Sequence, residues 1–532
     1  MRGSGAMRAR AACVVACAVL VAAWTAPAAG LEPSTLTVGL LSEPATLNPL
    51  ATTATEARDI AERIYLKLLD EQNDFLGFEP RLAREWSVSK DGLAITFHLR
   101  EDARWSDGVA VTARDVRFTW ELQTDTLVAW PSADIKARIH DVEVADDHTV
   151  VFHFTERYPY QLMDANDGVI LPRHVLSEVP RAQIRTHAIG RAPVGCGPYR
   201  MARWDAGQRI ELEADPGYFG AAPVVSRVIF KFVPDMVTLL AQLRAGEIDL
   251  LESVPVDHLD EIREQPLIEI LAYPSRRMNY VAWNLRRDRF ADPGVRRALS
   301  MAIDRQEIIR TLWGGYAREC KSPIHPILWA YDPTVRVLPF DPAEARAALR
   351  RRGWRDRDGD GFLDKDGRRF DVELLTNNNP VRIDAVTLVQ AHLKRIGVKV
   401  DIRVLEFNTY MERVLGGDFD AAFVEWKTAT KVDVTNLWHS ASVSPRGYNI
   451  TGYADGDVDR WIEEARGMLD AGRAKDRWLA LQQRIYRDQP VTFLAVPEEV
   501  TAIHARFCNV QPSPISLFAK LHEWRIEPAC AR

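Results

Sequence analysis

The chain has 532 residues, of which 47% are hydrophobic and 27% charged, with a formal net charge of -6. This is enough apolar sequence for two or three folded domains, which excludes a disordered chain. Lysines and arginines are scattered among compensating acids, so a phosphate backbone has no basic stripe to grip, and nucleic acid is excluded as an expected partner.

At the N-terminus, Arg8 and Arg10 precede an apolar run from Ala11 to Trp24 that closes on Ala26-Pro27-Ala28. This is the pattern of a secretory leader, expected over residues 1-28. The run is shorter than the roughly 20 residues a membrane span needs, and no later segment reaches that length. Val14-Val15-Ala16-Cys17 resembles a lipoprotein box only loosely, because so little apolar chain precedes Cys17. A periplasmic protein without a lipid anchor is therefore expected. Beyond the leader, Cys196, Cys320, Cys508 and Cys530 remain. Sequence does not choose among their pairings, and an oxidising compartment permits either a Cys508–Cys530 bridge or free, buried thiols.

A strand is expected over Thr35 to Leu41, then a helix from Ala57 to Leu69 with Ile60, Ile64 and Leu68 on one face. Ala94 to His98 and Thr149 to Phe154 read as strands among turn signals such as Ser106-Asp107-Gly108, which predicts a β-rich insert that need not carry chemistry. From Arg227 to Ser275, strand patterns (RVIFKFV, IDLLE, IEILAY) alternate with a helix over Asp235 to Ala245 and a shorter one. That alternation implies a parallel sheet with right-handed crossovers. Tyr280 to Leu285 is a further strand. Asp292-Pro293 and Asp341-Pro342 each open a helix, with Glu344 completing a capping box in the second and Gly353 ending it. Phe370 to Leu375, a helix carrying Val386, Val389, Leu393 and Ile396, and Val398 to Val404 form a βαβ unit, extended by a helix near Tyr410 and a strand at Asp420 to Glu425.

Between helix and strand lies an acidic loop. Asp356, Asp358, Asp360 and Asp364, with Gly361, match several positions of a calcium loop, but Gly367 stands where a bidentate Glu would close the shell. Two readings follow, a structural calcium ion or a solvated turn, and in neither is the loop the functional centre. No other cofactor is expected. No G-x-S-x-G, H-E-x-x-H, Walker or G-x-G-x-x-G motif occurs, and the twelve histidines do not cluster with ligand spacing. His98 and His153 lie inside strand patterns and suit structural roles. Open α/β sheets bind ligands beyond the carboxyl ends of their parallel strands. Those ends bring forward Asn377 and Asn378, then Glu406, then Glu425 with Trp426, against the plainer reading that Trp426 fills the core and Glu425 faces water.

Several stretches occur in an order that identifies a family: "EPATLNPL" from Glu43, "PRLAREWSVSKDGLAITFHLREDARWSDGVAVTARDV" from Pro80, "PVGCGPYR" from Pro193, "DPGVRRALSMAIDR" from Asp292, and "YNITGYADGDVD" from Tyr448. Nearly the whole mature chain resembles the family 5 solute-binding proteins, the dipeptide, oligopeptide and nickel-binding components of ABC importers. The resemblance implies an α/β fold of the type II periplasmic-binding kind: two lobes joined by a hinge, plus an extra β-rich domain. The implied limits are 29-77, 192-283 and 497-532 for the first lobe, 78-191 for the β-rich domain and 284-496 for the second lobe. The hinge is implied near Trp283-Asn284 and Ala495-Val496-Pro497. The acidic loop recurs in the family away from the cleft.

The implied function is capture of a peptide-like solute, with no turnover, for delivery to ABC permease subunits by a monomeric binding protein. Glu43 and Asn449 in the matching stretches, with Tyr280 and Asn284 on the strand that leads to the implied hinge, join the ligand-binding candidates. The family's peptide binders carry an aspartate for the peptide ammonium shortly after the tryptophan that matches Trp426. Here Ala429 stands at that position, which leaves Asp433 or Glu425 as substitutes, and Phe423 occupies a position where an oligopeptide binder can carry arginine. Alternatives within the fold are an oligosaccharide or a nickel chelate, the latter with His439. Outside it stand an exported hydrolase and a ligand-sensing partner of a membrane receptor.

Overall fold

A computed structural model describes residues 34-527. The leader, Cys13, Cys17 and Cys530 lie outside the described residues. Twelve strands join into one sheet that runs through both lobes. Its axis is Val491–His504, a strand of 14 residues. The first part of this strand pairs antiparallel with Arg277–Trp283 and the remainder antiparallel with Ile268–Pro274. One long strand is thus shared by two half-sheets, and the chain passes between them at Ser275-Arg276 and at Val496-Pro497. Trp283 lies at the far end of its strand, 0% exposed within the second lobe's core. The crossover expected at Trp283-Asn284 is corrected to Ser275-Arg276, because the pairing partners change there.

In the first lobe, Thr35–Leu40 runs parallel to Arg227–Phe232 and to Leu250–Leu251. Ile268–Pro274, expected in a parallel sheet, is antiparallel because it meets the returning tail strand. The predicted helix at Ala57 is Thr55–Ile64, and Leu69 begins a short strand instead. It stops early because another segment takes its end: the Gly197 amide donates to the Ile64 carbonyl at 2.7 Å. A Cβ on neighbouring Gly195 would sit 2.0 Å from that same oxygen. The "PVGCGPYR" stretch therefore needs glycine for close backbone approach.

The β-rich domain is a four-stranded antiparallel sheet in which Ala94–Leu99 pairs with Thr149–Phe154. Its helix Ala113–Thr124 begins in a capping box, with the Thr112 amide donating to Asp115 at 2.8 Å. In the second lobe, Asp371–Asn377, the helix Pro380–Arg395 and Lys399–Leu405 form the expected βαβ unit, and Ala421–Lys427 adds parallel to the first strand. Asp292 and Asp341 cap their helices through the amides of Gly294 and Glu344. Glu344 does not complete a box. The Asp341 amide donates to the Met301 carbonyl at 2.9 Å, and the Glu344 carboxylate pairs with Arg351.

Among the described residues no helix is long and apolar enough to cross a membrane. Cys508 is disulfide-bonded, while Cys196 and Cys320 are free and buried.

Candidate functional site

Two cavities, of about 250 Å³ and about 270 Å³, lie between the lobes. Arg276 and Ile515 line both, so the cavities meet at those side chains. The helix Thr55–Ile64 runs along the first-lobe wall. Thr55 and Asp59, one turn apart, face the first cavity, and Arg58 and Glu62 face the second. The tail segment around Ser513–Leu517 forms the floor of the first cavity. The β-rich domain supplies Trp130 and Met163 to the second, so this insert does shape the cleft. From the second lobe come Lys427 to the first cavity, and Ala429, Thr430 and Lys431 to the second.

Charge is divided across the first cavity. Glu56, Asp59, Glu252 and Glu499 lie on the first-lobe side, and Arg276, Arg277 and Lys427 face them. One pair closes the gap, Arg277 Nη2 to Glu499 Oε1 at 3.4 Å. Arg276 and Lys427 make no side-chain hydrogen bond or ion pair among the described residues. Burial lowers the affinity of both for their protons, and the nearby Arg58 adds to it for Arg276, as Arg276 does for Lys427. On the other wall, burial pushes the Asp59 carboxyl up to about 7 against the pull of a Ser516 hydrogen bond. Burial and then the nearby Asp59 push Glu252 up to about 8.

None of the ten residues expected from sequence to bind ligand lines either cavity, and most are committed elsewhere. Glu43 accepts from Arg191 at 2.6 Å, Trp204 Nε1 at 2.7 Å and the Gly207 amide at 2.8 Å, and the Arg191 bond leads the effects that hold its carboxyl below the usual range. Tyr280 is 4% exposed, edge-on to Phe493 in the core. Asn284 donates to the Phe419 and Gly417 carbonyls, and Asn449 to those of Tyr453 and His439. Asn377 caps the turn into the following helix through the Asn379 amide at 3.3 Å, and Asn378 is exposed beside it. Glu406 is a helix N-cap for Asn408 and Thr409. Asp433 accepts from the Thr435 amide at 2.9 Å and pairs with Arg466 at 3.1 Å. Glu425 meets Arg382 at 3.4 Å, and Trp426 packs against Tyr448 with ring centres 5.6 Å apart.

The strand-end argument therefore reached the correct strand one residue early: Lys427, directly after Glu425-Trp426, faces the cavity. Asp59, Glu252 and Arg276 were missed because little in their local sequence sets them apart from solvated charges: Asp59 follows Arg58 in a charged helix, and Arg276 precedes Arg277. Their only local signal was that Glu252 directly follows a strand and Arg276 sits in the two-residue break between two strands.

In the acidic loop, Asp356, Asp358 and Asp360 place one oxygen each within 4.8 Å of one another. Asp364 does not join them, because its backbone is bridged to Arg355. Asp356 accepts from the Gly359 and Gly361 amides, and Asp360 pairs with Arg369. Gly367 has φ +73°, a turn conformation, with no carboxylate to close a shell. Three of the four expected carboxylates thus converge, and Asp364 stands apart from them. His98 and His153 bond to Thr149 and Glu143 across the β-rich sheet. His439 bonds to Glu463 at 3.2 Å and to the Ala441 amide.

A two-lobed molecule with charged, cavity-lined walls facing across paired crossover strands is a ligand-capturing architecture. The model of the bacterial extracellular solute-binding proteins, family 5 Middle, matches residues 77–448. The oligopeptide-binding protein AppA of Bacillus subtilis is 30% identical over 92% of this chain and 91% of its own length. The solved structure of AppA from Bacillus subtilis with a nonapeptide covers 93% of this chain and 99% of that one, with a TM-score of 0.72 at 29% identity. NikZ from Campylobacter jejuni, solved with Ni(L-His), shares the fold with a TM-score of 0.74 at 23% identity, over 93% of this chain and 100% of that one. The chain belongs to the bacterial extracellular solute-binding proteins of family 5, a family of substrate-binding proteins of ABC importers, not of enzymes.

Proposed function

We propose that this protein is an exported, monomeric binding component that captures a peptide-like solute bearing a free carboxylate and hands it to ABC permease subunits at the membrane. The observation that carries this reading is the pair Arg276, half-buried, and Lys427, exposed at the cavity wall, two cations that line the same cavity without side-chain partners among the described residues. A carboxylate between them relieves their mutual repulsion and makes charge-assisted hydrogen bonds. The relatives support the solute class, since AppA is an oligopeptide-binding protein. Closure of the lobes around the crossovers at Ser275-Arg276 and Val496-Pro497 couples capture to shape, because a guest touching both walls favours the closed state.

No histidine lines either cavity, and His439 is already bonded to Glu463, so a nickel chelate finds no imidazole there. Trp130 and Tyr273 are the aromatic rings in the two cavities, a sparse platform for a stacked oligosaccharide. Mass spectrometry of material released by denaturing freshly purified protein, followed by titration of a peptide library, tests the reading. The expected result is stoichiometric recovery of intact peptides. Recovery of sugars or a metal chelate in their place, or cleavage of added peptide, overturns it.

A further inference from the structure

In the first cavity the acids stand on the first-lobe wall and the unpartnered cations on the second. Glu252 lines the cavity, and no group among the described residues hydrogen-bonds to its carboxylate or pairs with it. Asp59, 8% exposed, has only the Ser516 hydroxyl. The cations nearest Asp59 are committed: Arg63 donates to the carbonyls of Asp59, Phe518 and Ala519, and Arg58 lies 3.9 Å from Glu62. Glu499 is held by Arg277. Asp59 is buried and Glu252 half-buried beside it. Two neighbouring carboxyls poorly reached by water and without a cation are a costly arrangement for an empty site, and a guest's ammonium completes it.

The second lobe offers no such place. Ala429 has no charge, Asp433 is taken by Arg466 and Thr435, and Glu425 faces Arg382. Around them Arg276 and Lys427 repel a cation.

We propose that the guest's ammonium group is bound by the first lobe, by Glu252 and Asp59, while Arg276 and Lys427 on the second lobe take its carboxylate. The cleft thus reads a zwitterion, with each lobe holding one sign, and only a guest carrying both charges ties the two walls together. This rests on the reading of the protein as a binder of peptide-like solutes.

The test uses ligand-stripped full-length mature protein and calorimetric titration near neutral pH. The probes are di-, tri- and pentaalanine, each as the free, N-acetylated and C-amidated peptide, in buffers of different ionisation enthalpy. Acetylation is expected to weaken binding by roughly 10- to 100-fold, the loss typical of a charged hydrogen-bonded contact. Free peptides should release protons on binding, since an ammonium drives Glu252 and Asp59 to their charged forms against Glu56 and Glu499. Glu252→Gln, with Asp59→Asn as a second variant, should erase both the discrimination and the proton release while leaving acetylated peptides bound as before. Equal affinity for free and acetylated peptides overturns the proposal, as does loss of discrimination in Asp433→Asn in place of Glu252→Gln. If no peptide in any form binds, the peptide reading itself fails, and this inference falls with it.

Discussion

The Ser275 hydroxyl donates to the Pro497 carbonyl at 2.6 Å, and the Ser275 hydroxyl oxygen in turn accepts the Arg277 amide at 3.1 Å. The two crossings between lobes are thereby fastened to each other at a side chain that is 1% exposed. Ser275→Ala strands the Pro497 carbonyl, at a cost of about 1–3 kcal/mol. Lower melting temperature is expected, with solution scattering of the ligand-free protein showing a broader range of lobe separations. An unchanged melting temperature and envelope would show that this bond does not restrain the crossings.

Arg276 is held in the cleft by its backbone, whose carbonyl accepts the Thr428 amide at 2.8 Å, so its side chain can change without unmaking the turn. Arg276→Gln should weaken binding of free-carboxylate peptides by about 10-fold or more. It should raise the melting temperature of the empty protein, because it removes repulsion with Arg58 and Lys427. A variant that binds normally, or that loses both binding and stability, contradicts this assignment.

Asp59 at about 7 and Glu252 at about 8 sit above the ordinary carboxylate range in the fold. The folded protein therefore keeps protons that the unfolded chain has already released. Their contribution to stability is complete below the ordinary range near pH 4 and is lost as pH rises through about 7 to 8. The ligand-free protein should melt a few degrees lower near pH 8.5 than near pH 5.5. Glu252→Gln should flatten that slope; a slope unchanged in the variant would assign the effect to other groups.

Asp249 is 0% exposed, and its carboxylate receives Arg506 at 2.9 Å and the Thr37 amide at 2.9 Å. Arg506 also donates to the Thr35 carbonyl at 2.7 Å, so the tail is bound to the first strand through this pair. Asp249→Ala leaves a buried guanidinium without its carboxylate and is expected to cost about 3–5 kcal/mol. Replacing both partners by Leu and Met should recover much of the loss, read by thermal melts of single and double variants.

The acidic loop satisfies Asp356 and Asp360 with its own amides and Arg369. Adding calcium to chelator-treated protein should therefore leave the melting temperature within about 1 °C, since a ligand stabilises only in proportion to its binding. A larger rise would establish a bound ion.

Capping residues, strand alternation and glycine positions are local. They made the βαβ unit at Asp371–Leu405, the helices behind Asp292 and Asp341, the β-rich insert and the family legible in the sequence. Local rules failed where a distant segment intervened. The helix at Thr55 stops because Gly197 takes the Ile64 carbonyl, and Glu344 leaves its box because Met301 takes the Asp341 amide. Glu43, Asn284 and Asn449 looked like ligand contacts because polar residues in specific motifs suit either role, and burial beside protein partners decided for structure.

The sequence by itself determined the family and most of the local elements, because these depend on neighbours along the chain. Only the tertiary structure decided the cleft. Asp59, Glu252, Arg276 and Lys427 come from four separated segments, and their chemistry arises from being brought to the walls of one cavity, where charge that bulk water would have screened more fully is answered by a guest.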